Sequence, residues 1–225
     1  MGPRRPHVVG PSRGVALSPS QRGLTVTVAG PDGAGKTTFC NALTTGVLAG
    51  RDVRRIHHRF GVLPVRGGST ADPSQPHAQA PYPRGVSEAK VFALFFDSLA
   101  GWLVQARPFT RRGGCLIIER GWWDLAVDPA RYRLRPCPRL VRALGRLLPR
   151  ADLLIVLEGP PELLVTRKAE CSEAELARQV RAWRDCVPSR QPRVYLDVSL
   201  PLDDVVSRAT VELTRLAPWL TRSHK

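Results

Sequence analysis

The sequence predicts a three-layer α/β fold, in which a parallel sheet is covered by helices on both faces. Five short runs of apolar and β-branched residues alternate with segments of helical periodicity along the chain. Two of these runs, CLII at 115–118 and LLIVL at 153–157, contain no polar residue, which is typical of strands buried on both faces. Because strands and helices alternate, the crossovers should be right-handed and the sheet parallel.

The first predicted strand, LTVTV at 24–28, leads into a glycine-rich loop with the sequence GPDGAGKT. This loop satisfies the pattern G-x-x-x-x-G-K-[ST] between a strand and a helix. Its glycines permit backbone angles that turn successive N–H groups onto phosphate oxygens. Lys36 is expected to reach β- and γ-phosphates, and Thr37 to offer its hydroxyl to Mg²⁺. The predicted nucleotide-binding residues are Gly30, Pro31, Gly33, Ala34, Gly35, Lys36, Thr37 and Thr38.

Periodicity and turn signals predict the next elements. A helix should cover 36–48, and a second, less apolar strand 53–58. The stretch 66–86 is crowded with Pro, Gly, Ser and Gln and has no periodicity, so we expect a mobile loop at the site entrance. Ser87, a residue of capping type, precedes a wide apolar stripe that predicts a core-packing helix over 87–106.

The second half of the chain repeats the alternation. We predict strands at 115–118, 153–157 and 194–196, and helices at 140–148, after Pro160, at 173–187 behind the capping box of Ser172 and Glu175, and at 202–216. In parallel sheets ligands bind at the carboxyl ends of the strands. The loop 30–37, residues 57–59, residues 119–123, Glu158 and the segment after Leu196 should therefore surround one crevice.

Composition limits the class of protein. The chain has 225 residues, enough for one domain at 23–225, preceded by a tail at 1–22 that we expect to be disordered. No run approaches about 18 apolar residues, and the N-terminus lacks the apolar segment of a secretory signal, so we expect a cytoplasmic protein without a membrane span. The five cysteines are scattered and never in C-x-x-C spacing, which favours reduced thiols over zinc or disulfides.

The formal net charge of +15 invites a nucleic-acid role. The basic residues are almost all arginines spread along the chain, however, and no aromatic-basic ladder or nucleic-acid motif accompanies them. The charge alone supports only affinity for polyanions, including phosphorylated small molecules. We therefore expect a small-molecule partner rather than a nucleic acid.

Four segments together resemble the thymidylate kinase family of P-loop nucleotide kinases: GPDGAGKTT, IIERGWWDLAVDPARYRL, LLIVLEGPPELLVTRKAE and VYLD. The resemblance extends over nearly the whole chain after Leu24. A subgroup found in bacterial polysaccharide clusters is similar in its histidine after strand two, its D-P-x-R-Y segment and its P-P-E…R-K-x-E segment. The resemblance implies a P-loop kinase fold with strand order 2-3-1-4-5, the cofactors ATP and Mg²⁺, and transfer of the γ-phosphoryl group to a phosphate acceptor.

The resemblance also implies roles for single residues. Lys36 and Thr37 would hold the donor phosphates and the metal, with the carboxylate of Glu119 near the Mg²⁺. Asp32 would face the acceptor, Arg120 would bind the acceptor phosphate, and Arg167 of the lid would neutralise the transferred group. The residues expected to bind substrate are His57, His58, Arg59, Arg120, Trp123 and Arg131.

A purely structural role is possible for each of these residues. Glu119 and Arg120 can be an ion pair at a strand end, and Asp32 can be a turn former. Arg167 can cap its helix or pair with Glu170. The remaining structural roles are a half-buried strand end for His57 and His58, core packing for Trp122 and Trp123, and an ordinary helix start for Asp128, Arg131 and Tyr132.

Three functions remain open from the sequence. The first is a kinase for a nucleoside monophosphate, with dTMP the first to test. The second is a kinase for a non-nucleotide hydroxyl on a sugar, a lipid-linked compound or a secondary metabolite, since the family's Arg-Glu-Pro-Gly after strand two is His57-His58-Arg59-Phe60-Gly61 here. The third is a nucleotide-binding protein without catalysis, because Glu119 replaces the usual Asp and the lid is short. The oligomeric state is also open, a homodimer included.

Overall fold

A computed structural model describes residues 22–58, 61, 80–168 and 171–221, and for His58 only the backbone. Its centre is a five-stranded parallel sheet of order β2-β3-β1-β4-β5. The strands are β1 Thr25–Ala29, β2 Val53–His58, β3 Cys115–Arg120, β4 Leu153–Glu158 and β5 Arg193–Asp197. The predicted α/β fold and strand order are therefore confirmed. Of the predicted N-terminal tail, residues 1–21 lie outside the described part of the chain.

The helices flank this sheet. They are α1 Lys36–Thr45, α2 Arg84–Gly101, α3 Arg107–Arg111, α4 Asp124–Val127, α5 Pro138–Gly145, α6 Pro161–Arg167, α7 Glu173–Cys186 and α8 Leu202–Leu216. Short 3₁₀ turns add Ala130–Tyr132 and Pro218–Thr221. The predicted capping of α7 is present, since the backbone N–H of Glu175 donates to Ser172 Oγ at 3.3 Å.

Alternation along β4 shows how the sheet is buried on both faces. Leu153, Ile155 and Leu157 pack in one cluster with residues of α1 and α8. Leu154 and Val156 point to the opposite face and pack with Trp123 and Trp183. Because successive side chains of a strand point to opposite faces, an entirely apolar strand needs a cover on each side.

The register brings the carboxyl ends of the central strands together. Val28 of β1 pairs with Glu119 of β3 and with Ile155 of β4. His57 of β2 is the neighbour of Glu119 on the other side. The loop that follows β1 therefore begins beside the last residues of β3 and β4.

The predicted limits of three helices are wrong. The helix predicted to start at Ser87 begins at Arg84, and Ser87 is buried in its first turn with its hydroxyl donating to the Tyr82 carbonyl at 3.2 Å. Residues 84–86, assigned to the mobile loop, are thus helical, and residues 66–79 of that loop lie outside the description. α1 ends at Thr45 because Gly46 closes it, and α5 covers 138–145 rather than 140–148.

The stretch Arg84–Arg111 continues through a π-helical turn at Trp102–Ala106, five residues beyond the predicted end at Ala106. Pro108 has no N–H for an ordinary helical bond, and the wider turn before it accommodates that loss. By length and composition this is the one stretch in the described chain that could span a membrane, with a mean hydropathy of 1.2. Only 28% of that window is buried, and a single helix of this kind is weak evidence, consistent with the expected absence of a membrane span.

Candidate active site

The glycine loop lies between the ends of β1 and β4 and the start of α1. Gly30 has a φ of 141° and Gly33 a φ of 79°, which side chains rarely tolerate. A Cβ on Gly30 would lie 2.2 Å from the Leu157 carbonyl oxygen, and one on Gly33 would lie 2.4 Å from the Leu164 carbonyl oxygen. These two glycines therefore allow the loop backbone to pack directly against β4 and α6.

Lys36 is held within this loop. Its Nζ donates to the carbonyl oxygens of Gly30 at 2.8 Å and Pro31 at 2.6 Å, and the side chain is 8% exposed. Burial, together with the nearby charge of Arg120, lowers the pKa of Lys36 to about 7. An anion bound beside Nζ would favour the charged form again.

Glu119 and Thr37 form the best candidate for a Mg²⁺ site. Thr37 Oγ1 donates to Glu119 Oε2 at 3.1 Å, and adjacent oxygens of an octahedral Mg²⁺ lie about 2.9 Å apart, so these residues fit the ion. Among the described residues, no group of three or more His, Cys, Asp and Glu could hold a metal ion.

Two residues of β2 hold the Glu119 carboxylate from the other side. Arg55 donates to Oε1, and His57 Nδ1 lies 3.2 Å from Oε2. Burial opposes ionisation of Glu119, but the contacts with Arg55, Thr37 and His57 together outweigh it and lower the pKa of this carboxyl. Arg55 was not predicted as a site residue. The sequence could have indicated it, because Arg55 lies two residues before His57 and the two side chains therefore share one face of β2.

Asp32 binds two arginines from distant parts of the chain. Arg120 Nη2 donates to Asp32 Oδ1 at 2.6 Å, and Arg131 Nη2 donates to Oδ2. Lys36 Nζ lies 3.9 Å from Oδ1. Arg131 is held further by Asp128, whose Oδ2 accepts from Nε at 3.0 Å. Asp32 is thus the centre of a buried ionic cluster rather than a turn former alone.

The backbone at the end of β3 directs Arg120 toward this cluster. Arg120 has a φ of 76°, in the left-handed region, and Gly121 follows with a φ of 101°. A non-glycine residue in that region costs roughly 1–3 kcal/mol and persists where surrounding contacts fix it. Here the ion pair with Asp32 supplies such a contact.

Asp124 is a site residue that the sequence reasoning missed. It is 1% exposed, and among the described residues its Oδ2 has no hydrogen-bond partner. Burial raises its pKa to about 6, against the opposing charges of Arg120 and Lys36. The sequence feature that could have indicated Asp124 is its position as the one acidic residue in the apolar run WWDLAV.

Trp123 and Arg167, which were also predicted as site residues, contact other parts of the chain. Trp123 is 9% exposed and packs with Trp183, and Trp122 Nε1 donates to the Val141 carbonyl at 2.9 Å, so the contacts favour core packing. Arg167, in the last turn of α6, donates to the Val198 carbonyl at 3.1 Å. Arg59 and Glu170 lie outside the described residues, as does the side chain of His58.

Around the glycine loop, the structure thus combines a buried lysine, a threonine and glutamate pair of suitable spacing, and an arginine and aspartate cluster. Such an arrangement can hold a phosphate chain and a metal beside the buried cluster of arginine and aspartate. No protein-family model matches the chain, and a comparison with curated proteins finds no significant match.

Proposed function

We propose that this chain is an ATP- and Mg²⁺-dependent phosphotransferase, a P-loop kinase of thymidylate-kinase-like type that acts on a small-molecule acceptor. The observation that carries this proposal is the gathering of Lys36, Thr37 and Glu119 around one glycine loop at the carboxyl edge of a parallel sheet. Ligands of open α/β sheets bind at this edge.

The donor half follows from the loop. Backbone N–H groups of Gly33 to Thr37 and the start of α1 would surround the β- and γ-phosphates. Lys36 would exchange its carbonyl partners for phosphate oxygens, which restores a full charge to an amino group whose pKa burial has lowered. Thr37 and Glu119 would hold Mg²⁺, which when bound neutralises charge on the phosphates.

Phosphoryl transfer needs little from the protein beyond position and positive charge. Lys36 supplies charge at the γ-phosphate, and Glu119 keeps the Thr37 hydroxyl oriented. No side-chain nucleophile is required, because the acceptor itself attacks. Burial of these groups strengthens each electrostatic interaction relative to water.

Two classes of acceptor are candidates. A nucleoside monophosphate such as dTMP is the acceptor that the resemblance predicts, through Arg120. A hydroxyl acceptor is the second candidate, favoured by the ion pair that already engages Arg120 with Asp32.

Lys36→Ala tests the proposed mechanism. We expect ADP release from Mg·ATP, assayed with each nucleoside monophosphate and with neutral alcohols, to fall by more than about 100-fold. The fold should persist, as judged by circular dichroism and thermal unfolding. Arg22→Ala is the control. It also removes a positive charge, but Arg22 is 79% exposed and lies before β1, at the amino ends of the strands. Equal turnover by Lys36→Ala and wild type would contradict the proposal.

A further inference from the structure

The helical stretch Arg84–Arg111 exposes an apolar face to solvent. The large exposed side chains of this face are those of Val86, Phe92, Phe96, Leu103 and Val104, which are between 44% and 65% exposed. The exposed Ala89 and Ala93 lie between them, and we name these seven residues the apolar stripe. Of the nine large apolar side chains that the described chain exposes, five therefore belong to one helical stretch.

The opposite face of the same helix holds it to the domain. Val91, Phe95 and Ala106 are at most 7% exposed, and the ring of Phe95 meets that of Trp122 edge to face, with centroids 6.1 Å apart. A helix with one apolar face in the core normally turns a polar face to water. Here both faces are apolar, and an exposed apolar patch of this kind marks a binding surface.

One end of the apolar stripe is strongly basic. We name as the basic end four exposed arginines, Arg54, Arg107, Arg111 and Arg112. The Arg54 guanidinium lies 5.0 Å from the centroid of the Phe109 ring in α3, so β2 contributes to this end. The sequence has no acidic residue between Asp97 and Glu119, and Asp97 is buried. Even with the exposed Asp52 nearby in the chain, this end carries an excess of positive charge.

A second copy of the chain does not satisfy these charges. A twofold pair joins the same surface of both copies, with the two helices antiparallel or parallel. The antiparallel arrangement brings the basic end to Arg84, which is already paired with Glu88 at 3.2 Å, and the parallel arrangement brings two basic ends together. An anionic surface that is apolar beneath its charges complements the stripe and the arginines at once.

We propose that the apolar stripe and the basic end bind the surface of a bilayer that contains anionic lipids. In such binding, apolar side chains enter the boundary between head groups and acyl chains, and basic groups stay with the anionic head groups. α2 lies along the surface and does not cross the bilayer, because its other face packs in the core of the domain. The inference is independent of the proposed function, since neither surface includes a residue of the candidate active site.

Vesicle sedimentation tests the inference with the full chain. One set of vesicles is phosphatidylcholine alone, and the other also contains about 30% phosphatidylglycerol. We expect the anionic vesicles to bind the protein at least about tenfold more tightly, and this binding to weaken as salt rises from about 0.1 M to about 1 M. Equal binding to both compositions, or binding to neither, would overturn the inference.

Two valines provide a matched pair of variants. Val104 is 65% exposed in the apolar stripe, and Val211 is 60% exposed on α8, which packs on the opposite face of the sheet. Val104→Ser should weaken binding to anionic vesicles at least about threefold, and Phe96→Ser at least about tenfold, because each removes apolar area from the contact. Val211→Ser should bind like wild type.

All three variants should unfold near the wild-type temperature, since the substituted side chains are exposed. Equal vesicle affinities of Val104→Ser and Val211→Ser would overturn the inference.

Sedimentation velocity without vesicles tests the alternative of a second copy. We expect the wild-type chain and Phe96→Ser to sediment with the same mass. A wild-type dimer that Phe96→Ser converts to a monomer would overturn the inference, because the apolar stripe would then be an interface between copies of this chain.

Discussion

At the scale of single residues, Asp124 is a buried carboxylate that is only partly compensated by its neighbours. It sits four residues after Arg120 at the start of α4, with one carboxylate oxygen unpaired among the described residues. A carboxyl whose pKa is raised from 3.8 to about 6 binds its proton more strongly in the folded than in the unfolded chain. The ionised form therefore opposes folding by about 3 kcal/mol when the pH is well above 6.

Asp124→Asn should remove this pH-dependent cost. The folded chain retains the Asp124 proton between about pH 4 and 6 where the unfolded chain releases it, so the contribution of this group to stability falls as the pH rises through that interval. Relative to wild type, the variant should gain about 2 kcal/mol more at about pH 8 than at about pH 4.5, measured by urea unfolding. Asp203→Asn, at an exposed position of α8, controls for the substitution itself. A difference that does not change with pH would contradict the assignment.

The residue scale also shows what the sequence could predict. The types and spacing of Gly30, Lys36 and Thr37 were enough to predict a phosphate loop, because that chemistry depends on the backbone and on local order. The two arginine partners of Asp32 could not be predicted from local sequence. Their pairing with Asp32 depends on the left-handed backbone of Arg120 and on Arg131, which is 99 positions from Asp32 in the chain.

At the scale of elements, the backbone of the glycine loop packs closely against a neighbouring helix. Gly33 faces the backbone of α6, whereas an added Cβ on Gly35 would meet nothing within 4 Å. Both glycines have positive φ values, of 79° and 73°. A matched pair of substitutions can therefore separate backbone strain from steric contact.

Gly35→Ala and Gly33→Ala form this pair. Strain alone should lower the free energy of unfolding of Gly35→Ala by about 1 kcal/mol. Gly33→Ala should lose roughly 1–3 kcal/mol more, because its Cβ would meet the Leu164 carbonyl oxygen at 2.4 Å. Urea unfolding without nucleotide measures both. If the two variants lost equal stability, the packing of the loop against α6 would not be supported.

The elements differ in how well their limits follow from sequence. β2 and α8 have the predicted bounds, and α8 has a clear apolar period with a proline near each end. The start of α2 was missed because Ser87, which is of capping type, is instead buried in the first turn. Its continuation past Ala106 was missed because it depends on a π-helical turn, for which the periodicity gives no signal.

At the scale of the whole molecule, the parallel sheet gathers residues that the chain keeps apart. Rules for alternating strands and helices predicted the fold class, and the resemblance supplied the strand order that is observed. Together they predicted that the carboxyl ends of β1, β2 and β3 lie at the same edge of the sheet. The same rules could not give the charge balance there, because it depends on how individual side chains pair within the crevice.

The net charge of +15 is likewise a property of the whole molecule that does not describe the site. In the buried ionic cluster, Asp32 and Asp128 are paired with Arg120 and Arg131, so the excess of arginine in the chain as a whole is not found there. The overall charge favours polyanions near the surface, whereas binding within the crevice depends on how the buried charges there are paired. We therefore treat the two as separate determinants of binding.

Calorimetric titration of the purified chain with ATP, with and without Mg²⁺, tests the central claim most directly. We expect saturable binding of one ATP per chain that Mg²⁺ strengthens, because Lys36 lies within the glycine loop and Thr37 and Glu119 are spaced to share the ion. Glu119→Gln should lose most of the strengthening by Mg²⁺ and keep the binding of ATP itself. The absence of any saturable heat with Mg·ATP would contradict the account.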